Sequence, residues 1–131
     1  MSVEAKNKTD AKQIVLDFYE LAFVQRKPEE AARDLMGDSY TQHNPDVPDG
    51  KDAFVGAISG MFGQFPDFST EKKRVIAEDD LVVIHHHVKM TKDDRGTAVA
   101  DIFRVQDGKV VEHWDILQPV PEKPANSNTM F

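Results

Sequence analysis

The chain has 131 residues, with 16 Lys and Arg against 23 Asp and Glu, which gives a formal net charge of −7. Its 40% hydrophobic and 30% charged residues are typical of a globular protein, and we expect one domain over residues 1–131. The absence of cysteine excludes disulfides, thiolate metal sites and a cysteine nucleophile. The acidic balance argues against a nucleic-acid surface, and no apolar run is long enough for a membrane helix. The charged N-terminal segment does not resemble a secretory signal, so we expect a cytoplasmic protein.

Helical spacing of apolar residues predicts the first helix. Asp10 is a candidate N-cap with Gln13 three residues later, the arrangement of a capping box. Apolar residues then recur at helical spacing over residues 11–22 and form one stripe. Pro28 suits the first position of a second helix, so the first helix is predicted to end just before it.

Two shorter helices are predicted before the strands begin. The second starts at Pro28, covers the stretch PEEAARDLM and has Gly37 as a candidate cap at its end. The third follows Asp49 as a candidate N-cap and is ended by a proline. Phe54 and Phe62 share a face of this helix, so they are candidates for the core or for the wall of a pocket.

The second half of the chain is rich in β-branched residues and turn signals. These predict strands over residues 68–77, 81–90, 97–105 and 109–118. Residues 119–131 contain three prolines and are predicted to be a tail, because proline cannot continue a strand ladder. Helices followed by antiparallel strands predict an α+β fold, in which a helix layer covers a curved sheet and a pocket lies between them.

Polar side chains inside otherwise apolar strands indicate where function lies. Because side chains alternate along a strand, His85 and His87 share one face, and so do His113 and Asp115. Asp101 stands on the strand before the last hairpin. Desolvation in an apolar pocket raises the pKa of a carboxyl group, and a nearby imidazole can supply the complementary acid. This set of residues therefore predicts proton transfer.

The register of the last hairpin decides whether Asp101 meets His113. A two-residue loop at 107–108 sets Asp101 opposite Trp114, and a three-residue loop at 106–108 sets it opposite His113. The Asp-Gly pair suits both loops, because glycine adopts a left-handed conformation at low cost. Local sequence leaves both open, and we favour the three-residue loop.

Each candidate also has a purely structural explanation. Asp101 could pair with a basic residue of a neighbouring strand, and His43 could be an exposed turn residue. Trp114 could belong to the core, and three consecutive histidines must include both faces of a strand. Histidines at pocket-facing positions could instead bind zinc or iron, although no spacing in the sequence fixes a ligand geometry.

The order of elements and three motifs resemble a known family. The motifs are Gln42-His43-Asn44-Pro45, Asp101-Ile102-Phe103-Arg104 and the stretch DGKVVEHWD at residues 107–115. Over about residues 10–118 the chain resembles the polyketide-cyclase-like (SnoaL-like) branch of the nuclear transport factor 2-like superfamily. The resemblance implies a cone of three N-terminal helices on a strongly curved antiparallel sheet, with an internal pocket, and a homodimer formed through the sheet.

The resemblance also implies roles for site residues. Related steroid isomerases carry an aspartate on the strand matching Asp101, with its side chain in the pocket as a hydrogen-bond donor. The strand after the hairpin supplies pocket residues at positions matching His113 and Asp115, and the acid/base aspartate of the cyclases is matched by Asp115. Characterised cyclases close a ring by intramolecular aldol condensation with an acidic residue and no cofactor.

We therefore predict a cofactor-independent acid/base enzyme, an aldol-type cyclase, isomerase or lyase, that acts on a small apolar carbonyl compound. The alternatives are a non-catalytic small-molecule-binding module and a His-rich metal-binding pocket. The predicted catalytic residues are Asp101, His113, Asp115 and His43, and no residue is assigned as a metal ligand. The predicted substrate-binding residues are His85, His87, Phe103, Phe54, Phe62 and Trp114.

The C-terminal tail ends in two apolar residues, Met130 and Phe131. Apolar side chains at a terminus favour a groove over water. We therefore expect them to dock on the rim of the protein's own pocket or on a dimer mate.

Overall fold

The computed structural model describes residues 3–131, and side chains from residue 11 onward. Its elements are α1 Val3–Tyr19, a π-helical segment Glu20–Val24, α2 Pro28–Leu35, β1 Met36–Gln42, α3 Lys51–Gln64, β2 Ser69–Glu78, β3 Leu81–Lys89, β4 Thr97–Gln106 and β5 Lys109–Pro119. The side chain of Asp10, the predicted helix cap, lies outside the described residues, and the backbone of α1 begins at Val3, eight residues before the predicted first helical residue Ala11. None of the helices in the described part of the chain has the length and apolarity that a bilayer crossing requires.

The strands form one sheet in the order β1-β5-β4-β3-β2. The four strands of the second half pair antiparallel, whereas β1 runs parallel to β5. The α+β fold, with three helices packed on a sheet, is confirmed, but the sheet is mixed. β1 follows a helix and not a hairpin, so no tight turn forces it to run against its neighbour.

One face of the sheet packs against the helices and forms the core. The residues involved alternate along each strand, as a half-buried sheet requires. The largest fully buried side chains are Tyr19, Phe18, Phe103, Met36, Ile84, Val15, Val82 and Val110. The core therefore joins α1 to the centre of the sheet.

The predicted boundaries of the four long strands lie within one residue of the observed boundaries at each end. The end of α2, in contrast, differs from the prediction. The chain passes directly from α2 into β1, and Gly37 lies in the strand instead of capping the helix. A Cβ atom at Gly37 would lie 2.8 Å from Cγ1 of Val111. Glycine is needed here because the two strands approach closely.

Both predicted registers of the last hairpin are wrong. Asp107 and Gly108 form a two-residue turn with positive φ angles of 52° and 76°, and Gln106 pairs with Lys109. The register then shifts between Val105 and Arg104, because β5 carries one extra residue as a bulge. The favoured three-residue loop is therefore wrong and the two-residue alternative has the observed length, but neither included the bulge, because a bulge depends on packing further along the strand.

The bulge brings two carboxylates together. Beyond it, Asp101 pairs with Asp115, Ile102 with Trp114 and Phe103 with His113. Without the extra residue, Trp114 would stand opposite Asp101. The bulge thus places His113 and Asp115 on the same side of the sheet as Asp101.

Candidate functional site

A pocket of about 280 Å³ lies between the sheet and the helices. Its walls are mainly apolar side chains from α3 and the strands, and its polar groups come from β1 and the segment after it and from β3, β4 and β5. The lining residues are Phe23, Tyr40, Gln42, Asn44, Val47, Phe54, Ala57, Ile58, Met61, Phe68, His86, Val99, Asp101, Phe103, His113 and Asp115.

Asp101 is the centre of the polar groups. Nε2 of His86 lies 2.5 Å from its Oδ2, and Nε2 of His113 lies 2.8 Å from its Oδ1. All three side chains are buried, and Asp101 is only 7% exposed. One carboxylate therefore joins imidazoles from two neighbouring strands.

Asp101 is ionised in this setting. Burial raises the pKa of its carboxyl group, but the hydrogen bonds from His113 and His86 outweigh burial and lower the pKa to about 2. The sequence predicted the opposite direction, because it considered the apolar pocket and not two imidazole donors. An ionised Asp101 accepts hydrogen bonds and does not donate one.

The hydrogen bonds also locate the protons on His113. The backbone N–H of Asn44 donates to Oε1 of Gln42 at 3.0 Å, which identifies that oxygen as an acceptor. Nδ1 of His113 lies 2.7 Å from the same oxygen, so Nδ1 must donate to it. The contact between Nε2 of His113 and Asp101 then requires one further proton, which these two groups share.

A second arm of hydrogen bonds leads from His86 to the helix layer. Nδ1 of His86 lies 2.7 Å from the hydroxyl of Thr70 and 3.2 Å from that of Tyr19, and the two hydroxyls are themselves in contact. A hydroxyl that donates to Nδ1 leaves Nε2–H of His86 to donate to Asp101. Burial, with a smaller effect of the Asp101 charge, raises the pKa of Tyr19 to about 12, so Tyr19 stays protonated as a donor.

Asp115 is the second carboxylate of the pocket. Nδ2 of Asn44 lies 3.0 Å from each of its oxygens. Its position opposite Asp101 places two carboxylates on adjacent strands, an arrangement that is destabilising unless other groups offset it. The imidazoles on Asp101 and the amide on Asp115 are those groups.

Five predicted site residues do line the pocket. Asp101, His113 and Asp115 face it from β4 and β5, and Phe54 and Phe103 form part of its apolar wall. The expected shared hollow for the aspartate and the imidazole is confirmed. The catalytic and binding roles of these residues stay predictions.

His85 and His87 are wrongly placed in the prediction, because they face away from the pocket. His86 faces inward with Val82, Ile84 and Val88, as the alternation of buried residues along β3 shows. The sequence contained this information: the three aliphatic residues alternate in step with His86 along the strand, so all four side chains lie on the same face.

His43, Trp114 and Phe62 are also outside the residues that line the pocket. The ring of His43 stacks on Trp114 at 4.7 Å, and its Nε2 lies 2.7 Å from Oε2 of Glu112. Phe62 packs on Phe68 with ring centres 5.5 Å apart. The hairpin bulge turns Trp114 to the outer face, and His43, the residue that follows β1, stacks on it there.

Sequence reasoning missed Gln42, Asn44, His86, Thr70 and Tyr19 as parts of the polar network. Gln42 and Asn44 share the parity of the buried aromatic Tyr40, which is a readable signal. Tyr19 and Thr70 lie 51 residues apart in the chain, and no local pattern connects them.

The C-terminal tail contacts its own chain, but on the outer face of the sheet and not at the pocket rim. The ring of Phe131 stacks on His87 at 4.1 Å and on His85 at 5.8 Å. The backbone N–H of Val120 donates to the carbonyl of Gly96 at 2.9 Å. The tail therefore covers the two histidines that were predicted to face the pocket.

The fold and the site together define a helix-covered sheet with an acid/base pocket. The family model described as the SnoaL-like domain matches residues 15–113, which is more than half of the chain. The chain belongs to the SnoaL-like domain family. No curated protein matches it.

Solved structures share the fold. A candidate ketosteroid isomerase from Kribbella flavida has a TM-score of 0.75 and 15% identity, over 92% of this chain and 86% of that one. A candidate SnoaL-like polyketide cyclase from Jannaschia has a TM-score of 0.72 and 17% identity, over 85% and 87%. A candidate polyketide cyclase from Acidithiobacillus ferrooxidans has a TM-score of 0.69 and 20% identity, over 89% and 91%. At these identities the likeness shows the fold alone.

Proposed function

We propose that the protein is a cofactor-independent acid/base enzyme, an isomerase, lyase or aldol-type cyclase, for a small carbonyl compound. The observation that carries the proposal is the polar cluster in an apolar pocket. Asp115 is a carboxylate with a neutral amide partner, and one proton is shared between Asp101 and His113 at 2.8 Å. A base and a proton donor therefore stand side by side.

In the proposed reaction, Asp115 removes a proton from the carbon next to the substrate carbonyl. The electron pair of the broken C–H bond forms a C=C bond, and the carbonyl oxygen takes the proton shared by His113 and Asp101. Return of a proton at another carbon gives isomerisation, and attack of the enol on a second carbonyl gives aldol ring closure. His86, held by Thr70, keeps Asp101 charged so that the shared proton lies toward His113.

The test is proton exchange at carbon. We expect the protein to accelerate loss of the C–H signal next to the carbonyl of 2-tetralone in D₂O, followed by proton NMR, at least tenfold over buffer. Asp115→Asn should remove the acceleration, because an amide is not a base. Asp93→Asn, on an exposed turn, makes the same charge change outside the pocket and is the control. Saturable binding with no exchange would favour the non-catalytic binding module.

A metal site is the second candidate, but not the His-rich one predicted from sequence, since His85 and His87 face away. Asp101, His113 and Asp115 place one ligand atom each within 4.8 Å of one another. In the structure both nitrogens of His113 are hydrogen-bonded to Gln42 and Asp101, so a metal would have to break one of these contacts. Metal analysis of untagged protein purified without added metal, with Asp115→Asn as the comparison, tests this candidate.

We propose further that two copies associate through the outer face of the sheet. Ile76 and Ile116 leave 60% and 67% of their surface exposed, and Leu81 leaves 39%. Ile116→Glu should then lower the mass measured by light scattering to that of one chain, and Thr91→Glu, on an exposed turn, should not.

One domain over residues 1–131 and a cytoplasmic location stay predictions. Limited proteolysis tests the first, and cell fractionation tests the second.

A further inference from the structure

The pocket has acidic groups but no permanently charged basic group. Among the described residues that line it, none is Lys or Arg. Three basic side chains from the neighbourhood of the site are engaged elsewhere. Nε of Arg104 lies 2.7 Å from Glu112, Arg26 donates to the carbonyls of Pro66 and Phe68, and the Lys72 ammonium lies 5.3 Å from the Tyr19 ring centre.

The charge on Asp115 is the one that a ligand meets. The charge on Asp101 is shared with two imidazoles, whereas Asp115 accepts from the neutral amide of Asn44. In the described part of the chain, no Lys or Arg side chain forms an ion pair with Asp115, and the imidazole of His113 is hydrogen-bonded to Asp101 and Gln42. In a pocket of low polarity, a ligand carboxylate or phosphate beside Asp115 is repelled more strongly than it would be in water.

The size of the pocket sets a second limit. A dry cavity of about 150 Å³ accommodates one benzene ring. The volume here is about 280 Å³. The cavity therefore has room for one or two rings, and three or four fused rings exceed it.

We infer that the substrate is an uncharged carbonyl compound of one or two rings, and that anionic and four-ring compounds are rejected. This inference rests on the proposed function for the carbonyl group, but its charge and size limits come from the pocket alone. Asp115 sets the charge limit, in addition to its proposed role as the base.

Binding of matched probes tests the inference without turnover. The probes are 2-tetralone, the same ketone carrying a ring carboxylate, and the four-ring ketone androst-4-ene-3,17-dione, each titrated by isothermal calorimetry. We expect 2-tetralone to bind at least tenfold more tightly than either of the others. Asp115→Asn should reduce the discrimination against the carboxylate at least threefold, and Asp93→Asn should leave it unchanged.

The outcomes separate this inference from the proposed function. Discrimination without C–H exchange supports the charge and size limits and refutes the enzyme. Equal affinity for the carboxylate or the four-ring ketone overturns the inference, even when exchange is catalysed. Absence of saturable binding of 2-tetralone up to millimolar concentration also overturns it.

Discussion

The two faces of the sheet differ in a way that reverses the usual distribution of residues. On the inner face, His86, Asp101 and His113 are at most 8% exposed. On the outer face, Ile76 and Ile116 are at least 60% exposed. Buried polar residues and exposed large apolar residues are the two informative exceptions to the rule that apolar residues lie inside.

Buried polar groups and exposed apolar groups are each tolerated under a different physical condition. Polar groups are tolerated inside only when they are hydrogen-bonded, and no buried side-chain N or O atom of the described residues lacks a partner. Apolar groups are tolerated outside only when another surface covers them or when they are few. The inner face is thus complete within one chain, whereas the outer face is complete only if two copies associate as proposed.

Breaking the hydrogen bonds between Asp101 and the two imidazoles should have the largest effect on the unfolding free energy. Asp101→Asn places an amide NH₂ against one of the two imidazole donors and leaves a buried group without an acceptor. We expect a loss of about 3 kcal/mol in unfolding free energy, measured by urea denaturation at pH 7. In the exchange assay the variant should be inactive, because the shared proton has lost its partner.

Asp107→Asn is the matched control on the same hairpin. Asp107 occupies the left-handed region with φ of 52°, which Asn also adopts readily. The control should change stability by less than about 0.5 kcal/mol. A similar loss in both variants would show that the hairpin and not the buried carboxylate is being measured.

Acidification should weaken the same hydrogen bonds, with a smaller loss of unfolding free energy than the substitution causes. The pKa of Asp101 is about 2 in the folded protein against an ordinary value of 3.8. Because the folded value is the lower one, the ionised carboxylate stabilises the fold above about pH 4, and this contribution is lost as the pH falls toward 2. We expect it to amount to about 2 kcal/mol. In urea denaturation between pH 6 and pH 2.5, the stability gap between the wild type and Asp101→Asn should narrow; a constant gap would contradict the assignment.

The four long strands could be predicted because their signals are local. β-Branched runs and Asp-Gly or Asp-Asp turns mark β2 to β5, and each predicted boundary lies within one residue of the observed one. The parallel pairing of β1 and the bulge opposite Val105 arise from tertiary packing, which no short window of sequence contains.

The site was predictable in part for the same reason. Asp101, His113 and Asp115 stand out as polar residues in apolar strands. His86 could have been placed by the parity of its aliphatic neighbours, but the three consecutive histidines obscured it. The contact of Tyr19 with Thr70 depends on how α1 packs on β2, so no pattern in either segment predicts it.

On the outer face, the tail offers a smaller test. Phe131 stacks on His87 and His85, and the Lys73 ammonium lies 5.5 Å from its ring centre. Phe131→Ala should lower the unfolding free energy by about 1 kcal/mol, as aromatic pairs do. Ser127→Ala in the exposed part of the tail should have no effect. If deletion of the last six residues leaves melting temperature and oligomeric state unchanged, the docking is not stabilising.

The smallest expected change in stability is a gain and not a loss. It is expected for Asp115→Asn, which should lose C–H exchange while the fold becomes slightly more stable. Asp115→Asn removes one of two facing carboxylates and keeps an oxygen for Asn44, so the unfolding free energy should rise by about 0.5 kcal/mol while C–H exchange is lost. The gain should disappear when Asp101 is already replaced by Asn, because the second negative charge is then absent. A double-mutant cycle of the two substitutions, measured by urea denaturation, gives this coupling energy. A gain of the same size in both backgrounds would show that the two carboxylates do not repel each other.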